Sequence, residues 1–113
     1  MKVSFEGIGE QLLSFNAAGG TEKGKLVKIS ANNTVAPCSA GDKFAGVCVK
    51  ANGDFADVMT AGYVELSYTG SAPALGFAKL VSADDGKVKT DAVGREYLVI
   101  MVDTAASAVG FIM

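Results

Sequence analysis

Short runs of β-branched and aromatic residues, broken every few positions by Gly, Asn, Asp or Ser, fill the chain from Lys25 to its last residue. Such punctuation leaves no segment long enough for a self-supporting helix, and it is the pattern of an all-β sandwich or barrel. Lys25-Leu26-Val27-Lys28-Ile29 reads as a first strand, bounded by Gly24 and Asn32-Asn33, with Val27 and Ile29 on one face. Phe44 to Lys50 follows the turn residues Gly41-Asp42. Asn52-Gly53 then predicts a type I′ hairpin, which needs two residues tolerant of positive φ and returns Phe55 to Thr60 antiparallel. Tyr63 to Tyr68 alternates with period two, placing Val64, Leu66 and Tyr68 inward and Glu65 and Ser67 outward. Phe77 to Val81, a tight turn at Asp84-Asp85-Gly86, and Lys87 to Thr90 come next. Tyr97 to Val102 lacks alternation and predicts burial on both faces, and Ala108 to Met113 completes the set.

A chain of 113 residues is sized for one core. The expected architecture is therefore all-β, a compact single-domain β-sandwich or small β-barrel over 25–113, preceded by an N-terminal arm or strand over 1–24. Half of the residues are apolar, but 17 are Ala and 14 more positions are Gly, so much of the apolar share has little side chain to bury. The first segment carries an apolar cluster of Phe5, Ile8, Leu12, Leu13 and Phe15, interrupted by Gly7, Gly9 and the run Ala17-Ala18-Gly19-Gly20. Two readings fit it: a strand that completes the core, or a flexible arm that carries apolar anchors to a partner. On the second reading these five residues are candidate contacts with a partner or between subunits.

Chemistry is constrained by what is missing. With no His, the chain lacks the commonest general base and transition-metal ligand, which removes His-dependent triads, Cys–His pairs and ordinary zinc sites. Ten basic residues against twelve acidic ones give a net charge of −2, and the lone Arg95 makes no phosphate clamp or basic stripe, so nucleic acid is not an expected partner. Gly7-Ile8-Gly9 lacks the third glycine of a dinucleotide fingerprint, and Gly20 to Lys25 has Leu26 where a Walker motif needs a hydroxyl. Asp84-Asp85 before Gly86 is turn chemistry rather than a cation site. Cys38 and Cys48 lack CxxC spacing and read as two free thiols, with a bridge closing the ten-residue loop between them as the alternative. The run Leu98 to Val102 is far below the roughly 20 residues of a membrane span, and no apolar signal core follows Met1-Lys2. The expected protein is soluble, made in the cytoplasm, and neither an enzyme nor a cofactor or metal carrier.

Read as one pattern, the chain from Lys23 onward resembles the small head decoration, or capsid cement, proteins of tailed bacteriophages and prophages. The likeness rests on Lys25-Leu26-Val27-Lys28-Ile29, on Lys43-Phe44-Ala45-Gly46-Val47, and on Ala61-Gly62-Tyr63-Val64-Glu65-Leu66. Its most characteristic part is Leu75-Gly76-Phe77-Ala78-Lys79-Leu80-Val81 leading through Asp84-Asp85-Gly86 into Lys87-Val88. It departs at Tyr97 to Val102, where the family often carries a smaller Ile-Gly-Val-Ala type of strand. The resemblance implies a virion protein on the outer capsid surface, acting as a homotrimer that clamps neighbouring copies of the major capsid protein, with no catalytic residues. Other non-enzymatic roles, a phage tail or neck module or a surface-binding β-domain, share the same composition.

Overall fold

A computed structural model describes residues 11–113 and is all-β. The chain forms β1 (Gln11–Ala17), β2 (Leu26–Ala31), β3 (Thr34–Pro37), β4 (Gly46–Asn52), β5 (Phe55–Ala61), β6 (Tyr63–Ser67), β7 (Gly76–Ser82), β8 (Val88–Thr90), β9 (Arg95–Asp103) and β10 (Ala108–Ile112). The first five close into a barrel in the order β1-β3-β2-β4-β5, and the last five form a sheet in the order β6-β10-β9-β7-β8. All named pairings are antiparallel except β1 with β3. A single parallel bridge from Tyr68 to Val88 draws the two ends of the second sheet together.

Turn chemistry sets several of these registers. Asn33, at φ 56°, turns β2 into β3. The β4–β5 hairpin pairs Asn52 with Phe55, so its two loop residues are Gly53 and Asp54 rather than Asn52 and Gly53. Only Gly53 has positive φ there, which is the pattern of a type II′ turn and corrects the type I′ expectation. β4 begins at Gly46, two residues later than the sequence suggests, and the close approach of the Met59 carbonyl of β5 leaves no room for a Cβ there. Phe44 lies ahead of the strand and is buried as a loop residue.

Two apolar clusters hold the molecule. The barrel interior packs Val27, Val35, Cys48, Ala56 and Val58, with Phe15 and Ala17 of β1 against them. The larger cluster lies between barrel and sheet: Leu26, Phe44, Val47 and Met59 from the first meet Leu80, Tyr97, Val99, Val109 and Phe111 from the second. Both surfaces are apolar because alternate residues of β4 and β5 point to opposite sides of the barrel wall. Val58 fills the barrel while its neighbour Met59 fills the joint.

β9 overturns an expectation. Tyr97 and Val99 are buried, but Leu98 between them is 39% exposed, so the strand alternates and one of its faces meets solvent. The apolar run concealed this because both parities carry aliphatic side chains. β3 has no counterpart in the sequence pattern: four residues ending in Pro37 carry too little periodicity to mark a strand.

Candidate functional site

Leu12 and Leu13 sit on β1, at 54% and 43% exposure, while Phe15 turns into the barrel. Over Gln11–Ala17 the chain is a strand, and the half-buried Phe15 packs against the barrel interior. Phe5 and Ile8 lie outside the described residues. β5 pairs with β1 along its length from Gln11 to Asn16, whereas β3 meets it only at Asn16 and Ala17. Among the described residues, no strand covers the β3-side edge of β1 from Gln11 to Phe15. That edge carries Gln, Leu, Leu, Ser and Phe in sequence, with neither charge nor Pro to guard it. On the β5 side the strand is tied down, and Ser14 Oγ donates to Asp57 Oδ1 at 2.6 Å.

A second apolar surface lies on the outer face of the five-stranded sheet. Cross-strand partners share a face, and the register runs Phe77 to Leu98, Leu98 to Ile112 and Ile112 to Tyr63. Four side chains therefore form a row across β7, β9, β10 and β6. Beside the row, Tyr63 Oη donates to Glu65 Oε1 at 2.9 Å, and the phenol covers Gly110, where any Cβ would collide with it. Burial and the neighbouring carboxylate push the Tyr63 hydroxyl up to about 12. Sequence reading located Phe77 and Leu98 in strands but did not align them. The parity of Phe77 with Lys79 and of Leu98 with Glu96 was the available signal.

The polar groups that do converge form a staple between barrel and sheet. Asp42 Oδ2 accepts from Lys28 Nζ and from the Ser39 amide, each at 2.8 Å. Ser82, fully buried at the end of β7, donates its hydroxyl to the Ser39 carbonyl, while its amide donates to the Asp42 carbonyl. Cys38 borders this staple and has the wrong electrostatics for a nucleophile. Desolvation pushes its thiol up to about 11, outweighing its hydrogen bond with Ser82. Burial raises the Cys48 thiol as well, and both cysteines are free. The crevice beside Cys38, lined by Lys25, Pro37 and Gly86, holds about 70 Å³, well under the roughly 300 Å³ at which ligand pockets begin. Among the described residues, no group of three or more Cys, Asp or Glu side chains is placed to hold a metal ion. What these residues offer chemically is surface: an uncovered strand edge and an apolar sheet face.

No family model matches the sequence, and it matches no curated protein at a significant level.

Proposed function

We propose that the protein is a non-enzymatic structural protein that decorates the outside of a bacteriophage head, where a homotrimer clamps neighbouring major capsid subunits. The observation that carries this reading is the make-up of β1. Among the described residues no strand pairs with the β3-side edge of β1 from Gln11 to Phe15, and such an edge with exposed leucines suits an extended segment from another chain, while Phe15 fixes the strand to a rigid barrel. A protein that attaches at many identical positions needs such a complementary edge and no catalytic groups. Three copies on one trimer strengthen a weak single contact through effective concentration. The resemblance from Lys23 onward supplies the partner, and the barrel supplies the rigidity.

The test uses expanded heads of the phage that carries the gene, prepared without this protein. Mixed with the purified protein and pelleted, they are expected to carry it in fixed stoichiometry, and the Leu12→Lys protein is expected to stay in the supernatant with an unchanged circular dichroism spectrum. Wild-type protein that fails to pellet with heads, or that decorates tails instead in negative stain, overturns the proposal.

A further inference from the structure

We infer that the outer wall of the barrel at the β4–β5 hairpin, centred on Phe55, is a binding platform for a neutral hexopyranose oligosaccharide. Phe55 is 60% exposed although its strand is paired on both sides, to Asn16 of β1 and to Asn52 of β4. One pair further along, Asp57 lies between Ser14 and Lys50. Cross-strand partners share a face, and the buried Ala56 between Phe55 and Asp57 fixes that face as the outer one. A bulge between Cys48 and Lys50 brings Lys50, rather than Val49, opposite Asp57. A solitary exposed ring is ordinary on a soluble protein. This one has a primary amide on either side and a hydroxyl, a carboxylate and an ammonium behind it.

The chemistry of that frame selects the occupant. The face of an aromatic ring is negative and the C–H groups on one side of a pyranose are weakly positive, so the sugar lies flat on Phe55. Its equatorial hydroxyls then point outward toward Asn16 and Asn52, which stand about 10 Å apart on the two flanking strands. A primary amide both donates and accepts, as a hydroxyl requires. Among the described residues, neither amide is taken up by a hydrogen bond. Ser14 donates to one oxygen of Asp57 at 2.6 Å, leaving the other for a ligand hydroxyl. The Ala17 amide donates to the Asp54 carbonyl at 2.7 Å and pins the hairpin tip to β1, so the platform is formed before a ligand arrives. Lys50 and Asp57 offset each other and Asp54 adds a carboxylate at the turn, so an anionic strand such as nucleic acid gains nothing here. A peptide anchor needs an apolar pocket, whereas the hollow beside the ring holds about 170 Å³ and is lined, apart from Phe55, by Lys50, Asn52 and Asp57. A sugar stacked on this platform keeps its other face in water, which sets the dissociation constant on the order of 1 mM.

The free protein is used for the test, without heads, so this inference and head binding fail separately. Amide NMR spectra are recorded as maltotetraose, cellotetraose, laminaritetraose and chitotetraose are each added to several millimolar. At least one is expected to give saturable shifts centred on Asn16, Asn52 and Phe55, indifferent to added sodium chloride. Phe55→Ala is expected to weaken binding at least tenfold with an unchanged melting temperature, because the ring is exposed, and Asn52→Ala several-fold. Phe77→Ala, at another exposed ring, leaves binding unchanged. No saturable shift with any of the four sugars, or shifts that survive Phe55→Ala, overturns the inference.

Discussion

Asp42 joins three stretches of chain with two oxygens: Oδ2 ties β2 through Lys28 and its own loop through the Ser39 amide, and its carbonyl accepts from the Ser82 amide at the end of β7. The Lys28 hydrogen bond, and then that of Ser39, hold the Asp42 carboxyl below its ordinary value of 3.8, while the same pair holds Lys28 above 10.5. A carboxylate with a lowered folded-state value contributes stability above the ordinary value and loses it as pH falls through the folded one; the ammonium contributes below 10.5 and loses its share as pH rises past that point. The Asp42→Asn protein should therefore melt a few degrees below wild type at pH 7, with the gap closing as the pH drops below about 4. Scanning calorimetry between pH 2 and pH 7 checks this, and a gap that stays constant rules it out. The sequence marked Gly41-Asp42 as a turn. Its tie to Lys28 depends on a loop folding back against β2, which no local pattern encodes.

At the scale of elements, β1 and β3 show where reading by period stops. β1 carries apolar residues on both parities, Leu13 and Phe15 lying beside the barrel-facing Val58 and Ala56 and Leu12 beside Met59 of the other face, so its sequence suits either an arm or a strand. Burial decides: Phe15 packs with the barrel interior and Leu12 does not. Phe15→Ala should lower the unfolding free energy by about 2–3 kcal/mol, a reduced form of the loss for a fully buried Phe, while Leu12→Lys stays within about 0.5 kcal/mol. Urea titration measures both, and equal losses at the two positions would show that β1 does not seat as described. For the same reason, a truncation meant to probe surface contacts has to stop short of Phe15, since removing β1 opens the barrel. The strands from β4 to β10 were legible because each is bounded by turn residues whose conformation is local. Gly53 and Gly86 adopt the positive φ that such turns need.

Across the whole molecule, three aromatic rings weld barrel to sheet. Phe44 stacks on Tyr97 with centroids 5.2 Å apart and planes within 4°, and Phe111 meets both rings at tilted angles. Offset stacking and edge contact of this kind add to the area that the rings bury. Burial, the largest effect, raises the Tyr97 hydroxyl despite the opposing charge of Arg95, whose guanidinium lies 5.3 Å from the ring centre. Phe44→Ala should cost about 3–5 kcal/mol. Because both sheets share this core, unfolding followed by circular dichroism and by tyrosine fluorescence should remain one coincident transition in wild type and variant. Separate transitions for barrel and sheet would contradict a shared core.

Local sequence pattern carries the all-β class and most strand positions, because side-chain parity and backbone tolerance act over a few residues. The lack of histidine chemistry is a matter of composition. Long-range pairing settles that five strands close into a barrel while five form a second sheet, that Phe15 packs inward, and that Phe77 and Leu98 align with Ile112 and Tyr63. Those outcomes depend on which strands pair and in what register. Pairing is set by burying the Val58 face and the Met59 face of the barrel wall at once, a balance among residues far apart in the chain.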